Sequence, residues 1–219
     1  MELSARLFGE ITLWAMAIGL LPLYWLALRW ADFRRLQREQ VSNAYFASVV
    51  GLLMLWMLRT DIQDGVTWHL GGVVFLTLAW GWSLALLGGL ANQIALAAAG
   101  FHDWPSIVPT LWVLVILPAS VTQLVLGLVR AWLPKHFFVY VFLDAFFCGA
   151  LVAALAALVS AGLLAASGVP WSALRDGIVT LIPLMLFPEA FVNGAIITVL
   201  VGLRPEWVWS FRDEEYLRR

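Results

Sequence analysis

The chain has 219 residues, of which 63% are hydrophobic and 12% charged, with a formal net charge of −1. That apolar excess excludes an ordinary soluble domain and predicts a polytopic protein of the bilayer: one integral domain over residues 1–203 and a short charged tail, 204–219. A single cysteine, Cys148, excludes an intramolecular disulfide.

The first apolar run, Ile11 to Leu28, reads as a retained helix and not a signal peptide. Glu2 and Glu10 outnumber Arg6 ahead of it, no small-residue cleavage site follows, and Trp30 with Arg29, Arg34, Arg35 and Arg38 marks a stop at the interface. The second run, Ala44 to Leu58, is short for a span and is expected to tilt or to extend into its polar flank. Thr67 to Gly100 is too long for one ordinary span and predicts two short ones of about 17 residues each. Gly81, between Trp80 and Trp82, is the natural point of reversal. The Phe101-His102-Asp103-Trp104-Pro105 loop leads to a span over Ile107–Val129. Phe137–Ala166 follows, with Ala150/Ala154 and Ala153/Ala157 pairs suited to close helix packing, and Ile178–Leu203 is the last span.

The elements predict an all-α, multi-pass bundle of seven transmembrane helices in a bacterial cytoplasmic (inner) membrane. With the N-terminus outside and the C-terminus cytoplasmic, Arg29, Arg34, Arg35, Arg38, Arg130, Lys135, Arg204, Arg212, Arg218 and Arg219 fall inside. Only Arg6, Arg59 and Arg175 fall outside, which is the expected positive-inside bias. Merging Thr67–Gly100 into one span would put Arg130 and Lys135 opposite the first arginine cluster, so seven spans fit better than six. Glu2, Glu10, Asp61, Asp64, Asp103 and Asp176 then lie outside together with His69 and His102. An acidic rim of this kind concentrates cations, although removal of bases by the positive-inside rule would produce the same surplus.

Gly65-Val66-Thr67-Trp68-His69-Leu70-Gly71-Gly72 departs most from generic membrane composition. Its imidazole can bind a transition metal or a proton, and its glycines allow close backbone approach. Asp61, Asp64 and His102 are the candidate co-ligands on the same side. A haem held by His69 and His102 would need both at one depth in the bundle. Inside the membrane, Asp144, Glu189, Asn193, Asn92, Gln93 and Gln123 are the polar exceptions. Glu189 and Asn193, four residues apart, share a helix face next to Pro183 and Pro188. That pair reads as an ion or proton relay, or as a protonated carboxyl satisfying a proline-loosened backbone. Interhelical hydrogen bonding is the expected use of the amides. The sequence holds no phosphate-binding G-x-x-x-x-G-K-[ST] loop, G-x-S-x-G, H-E-x-x-H or C-x-x-C motif, so nothing in it points to an enzyme. Its basic residues flank spans and do not form a nucleic-acid surface.

The His69 stretch, with the Gly81 reversal after it, resembles the CbiM family, whose motif Gly-x-x-x-His-Leu-x-Gly-Gly opens a helix and is followed by a Gly-Pro turn. Here the glycine pair comes one residue sooner and the turn reads Gly81-Trp82. The Phe187-Pro188-Glu189-Ala190-Phe191 and Arg204-Pro205-Glu206-Trp207-Val208 segments are similar to a divergent bacterial branch. The resemblance implies the substrate-binding membrane component of an energy-coupling-factor cobalt or nickel transporter. Such a protein captures a divalent transition metal at the outer face and passes it inward with separate ATPase and coupling subunits. The metal is cargo, and no permanently bound cofactor is implied. In that family an N-terminal Met-His supplies ligands beside the motif histidine, whereas this sequence reads Met1-Glu2. The alternative is therefore a non-transporting membrane scaffold or assembly factor that has lost the ligand set.

Overall fold

The computed structural model describes residues 1–212 and Tyr216; Arg218 and Arg219, counted above among the inner bases, lie outside the described residues. Strand β1 (Glu2–Leu3) comes first, followed by helices α1 (Glu10–Trp30) and α2 (Glu39–Met57). Strands β2 (Thr60–Gln63) and β3 (Val66–Trp68) form a hairpin that leads into α3 (Val73–Trp80) and α4 (Trp82–Ala98). Three long helical stretches follow: α5 (Trp104–Trp132), α6 (Phe137–Ala166) and α7 (Trp171–Leu203).

Five of these helices, α1, α2, α5, α6 and α7, are long and apolar enough to cross a membrane, and α4 is a shorter apolar helix. Their outward faces carry apolar side chains that water would not tolerate. On α1, Trp14, Ile18, Leu21, Trp25 and Leu28 recur at helical spacing and are all exposed, as a lipid-facing stripe must be. Inside the bundle small residues bring backbones together. A Cβ at Gly149 of α6 would stand 3.0 Å from the Glu189 carbonyl of α7.

Two expectations need correction. The chain is mostly helical but not all-α: β1, β3 and β2 form a three-stranded antiparallel sheet, with Glu2 opposite Thr67 and Asp61 also opposite Thr67. The segment after Thr67 does not form two spans of equal length either. Its first part stays extended as β3 and loop, so α3 has only 8 residues while α4 has 17. The reversal does fall at Gly81. Its φ of 87° and ψ of 163° lie in a region that side-chain-bearing residues almost never adopt.

Tertiary hydrogen bonds give the bundle two distinct ends. At the sheet end, the Leu3 amide donates to Thr110 Oγ1 and the Ala5 amide to Ser106 Oγ, tying β1 to α5. At the opposite end the tail folds back. The amides of Trp209 and Ser210 donate to the Ala79 and Leu78 carbonyls at the end of α3, and Arg35 reaches the Ala79 and Glu206 carbonyls.

Gly81→Ala is expected to destabilise the protein by about 1–3 kcal/mol, because the cost is conformational: the new Cβ would meet Trp209 only at ordinary contact distance, 3.5 Å. Gly162→Ala, in mid-helix with nothing within 4 Å, is expected to be neutral or mildly stabilising. Thermal unfolding of both variants in detergent checks the contrast.

Candidate functional site

Helix α3 begins inside the bundle, where the amides of its first turn cannot reach water. Its N-cap, Gly72, has a left-handed φ of 66°. The capping groups come from α7. Glu189 Oε2 accepts from the Gly71 amide at 2.8 Å and Oε1 from the Gly72 amide at 2.9 Å. Asn193 Oδ1 accepts from the Phe75 amide at 2.8 Å, while its Nδ2 donates to Glu189 Oε1. A carboxylate at a helix N-terminus is favoured by backbone donors and dipole together. Trp56 of α2 completes the clamp by donating from Nε1 to the Gly71 carbonyl at 2.8 Å.

The Glu189–Asn193 pair therefore does share a face, but it serves the motif loop and not only its own helix. Each contact of the Glu189 side chain is an N–H donor, so the carboxyl acts here as an acceptor for the motif loop and for Asn193.

The clamp fixes His69. The residue is 2% exposed, its ring is tilted against Trp56, and Nδ1 lies 2.9 Å from the Leu70 carbonyl. A carbonyl only accepts, so Nδ1 carries the proton and the Nε2 lone pair is left bare. Facing it at 3.5 Å is Oε1 of Glu2, placed there by the β1–β3 pairing. Neither atom has a hydrogen-bond partner among the described residues. The other Glu2 oxygen accepts from Arg59 Nη1 at 2.6 Å, and the Arg59 guanidinium stacks on Phe101.

Burial lowers the His69 pKa and outweighs the neighbouring Glu2, so the imidazole stays neutral near neutral pH. For Glu2, burial pushes upward but is outweighed by its partners, Arg59 donating to Oε2 among them, which hold the carboxyl below its ordinary value. Beside His69 lies a cavity of about 30 Å³ lined by Met1, His69, Pro118, Val152, Met185 and Glu189 among others, large enough for one water or ion. Beside it an outward cleft of about 740 Å³ is lined by Glu2, Arg59, His102 and Asp103 among others.

The remaining candidates are dispersed. Asp61 is exposed and accepts from Thr67 Oγ1 at 2.6 Å; Asp64 is exposed in the β2–β3 turn. His102 is half-buried in the outer cleft, with Nδ1 3.1 Å from the Asp103 carbonyl. Among the described residues no three His, Cys, Asp or Glu side chains come together to hold a metal. Asn92 bonds α4 to the Val49 carbonyl of α2, as expected of an intramembrane amide. Gln93, Gln123 Oε1 and Asp144 are without hydrogen-bond partners among the described residues. The sequence reading missed Glu2 as a neighbour of His69, because only the long-range pairing of β1 with β3 joins them.

Comparison with known proteins bears on this arrangement. The family model described as the cobalt uptake substrate-specific transmembrane region, CbiM, matches residues 3–207. No curated protein matches the sequence. Two solved structures share the fold. One, a truncated transition metal transporter, has a TM-score of 0.77 at 16% identity over 92% of this chain and 99% of that one. The other, a transition metal transporter, has a TM-score of 0.74 at 16% identity over 93% of each.

Glu189→Gln keeps the shape but turns an amide donor toward groups that are themselves donors. It is expected to cost at least about 1–3 kcal/mol and to speed hydrogen exchange at the Gly71 and Gly72 amides. Unchanged exchange at both glycines would show that the clamp does not hold the loop.

Proposed function

The chain belongs to the CbiM family, and we propose that it captures a divalent transition-metal ion between Glu2 and His69 and passes it inward. The supporting observation is the pair of bare, buried donors, Nε2 and Oε1, held 3.5 Å apart. An ion about 2.0–2.2 Å from each fits between them at a bent angle, with the remaining coordination positions left for water. An imidazole nitrogen and a carboxylate oxygen suit cobalt, nickel or zinc, and two protein ligands make a site from which cargo can leave. Arg59, donating to the far oxygen, keeps the carboxylate turned toward the imidazole, as supporting hydrogen bonds do around metal ligands.

In this reading the seven helices run with the N-terminus and the sheet outside, in a bacterial inner membrane. The outer cleft, which Glu2 helps to line, would lead to the site. The sequence has no nucleotide-binding loop, so energy would come from separate ATPase and coupling subunits. Asp61, Asp64 and His102 would then act as the acidic and imidazole-bearing rim of the approach and not as direct ligands. The Glu2–Arg59 ion pair favours one rival reading: a scaffold whose position 2 is already neutralised by the protein itself.

Calorimetric titration of the purified protein with Co²⁺ separates the two. His69→Ala and Glu2→Gln are each expected to weaken binding by more than the roughly 10–100-fold lost with a supporting hydrogen bond. Equal, negligible binding in wild type and His69→Ala would overturn capture and leave the scaffold. Because burial depresses the His69 pKa, affinity should hold steady down to about pH 6.5 and fall only below it, as the imidazole protonates.

A further inference from the structure

Below the His69 cavity two helix faces run toward the tail end in register. α5 contributes Pro118, Thr122, Leu126 and Arg130; α6, running the other way, contributes Val152, Cys148, Asp144 and Tyr140. Pro118 and Val152 line the cavity itself. One turn further, Cys148 Sγ donates to Thr122 Oγ1 at 3.8 Å across the interface. At the far end Tyr140 bonds Ser210 Oγ, and Arg130 donates to the Ser210 carbonyl and the Tyr216 hydroxyl.

Asp144 sits between these two rungs and differs from them. It is 0% exposed, and neither carboxylate oxygen has a hydrogen-bond partner among the described residues. Cys148 and Tyr140 stand four residues to either side of it on α6, and Arg130 lies across on α5. The backbone there, Tyr140–Phe147, is π-helical, a wider turn that recurs at functional sites and re-aims side chains. Burying a carboxyl with two empty oxygens in the bundle is costly and calls for a partner.

We propose that Asp144 and Cys148 form a second, inner station for the transported cation, with the Thr122 hydroxyl beside it. This rests on the reading of Glu2 and His69 as the outer capture site. A carboxylate oxygen and a sulfur select a borderline transition-metal ion over Mg²⁺ or Ca²⁺. Coordination by Cys148 requires the thiolate, so the thiol proton leaves to water as the metal–sulfur bond forms. Two strong donors leave the other positions to Thr122 and water, which keeps the ion exchangeable. The positive Arg130 one step onward would weaken binding on that side and favour departure toward the tail end.

Cys148 is the sole cysteine of the chain, so a thiolate-to-cobalt charge-transfer band in the near ultraviolet reports on it alone. Titration of the intact protein with Co²⁺ is expected to take up two equivalents, the band growing with one of them. Cys148→Ser and Asp144→Asn should each lose the band while keeping the other equivalent and the melting temperature. His69→Ala should keep the band and lose the other equivalent. A single equivalent without the band, or a band that survives Asp144→Asn, would overturn the inner station. A normal band with no His69-dependent equivalent would instead overturn the outer site.

Discussion

The arrangement depends on a carboxylate that caps a helix inside the bundle. Glu189 takes the amides of Gly71 and Gly72 while Asn193, one turn later, takes that of Phe75. Without them several N–H groups would be stranded among apolar side chains, each at a cost of a few kcal/mol. The depth of His69 follows from this. α3 rises only about 12 Å over its 8 residues, against about 30 Å of hydrocarbon. Since α3 ends at the tail face, the loop ahead of it must dip well into the bundle.

An eight-residue helix has no stability of its own. α3 persists because distant elements satisfy both of its ends. The α7 pair serves the first turn, and the amides of Trp209 and Ser210 with the Arg35 guanidinium serve the last carbonyls. Each residue of α3 is buried, so its apolar surface is matched all round. The segment 207–211, part of what the sequence marks as a short charged tail, packs against the core: Val208, Ser210 and Phe211 are buried.

Much of this was legible in the sequence, and the failures share a cause. Hydrophobic runs locate α1, α5, α6 and α7, and Gly81 locates the reversal, because those signals are local. The length of α3 was hidden, since Trp68 and Leu70 continue the apolar run while the backbone is still extended. The sheet was hidden because strands of two to four residues carry almost no pattern, and β1 pairs with β3 across some sixty positions. Glu189 and Asn193 could be seen to share a face, but nothing near them names Gly71 and Gly72 as partners.

Position 2 shows how a motif comparison can mislead about chemistry. Judged by the resemblance, which implies a histidine there, Glu2 reads as a missing ligand. In space its Oε1 stands 3.5 Å from the imidazole nitrogen it would have to complement, so a donor atom remains although the residue type has changed. The exchange has electrostatic consequences. A histidine brings no charge, whereas a buried carboxylate needs a counterion, and Arg59 supplies it at 2.6 Å. With neutral His69, the Glu2–Arg59 pair is close to zero net charge. On the proposed reading, a divalent ion entering the site would gain the attraction of Glu2 but meet the repulsion of Arg59. The affinity would then be lower than an unopposed carboxylate would give, which would suit a site whose cargo has to move on.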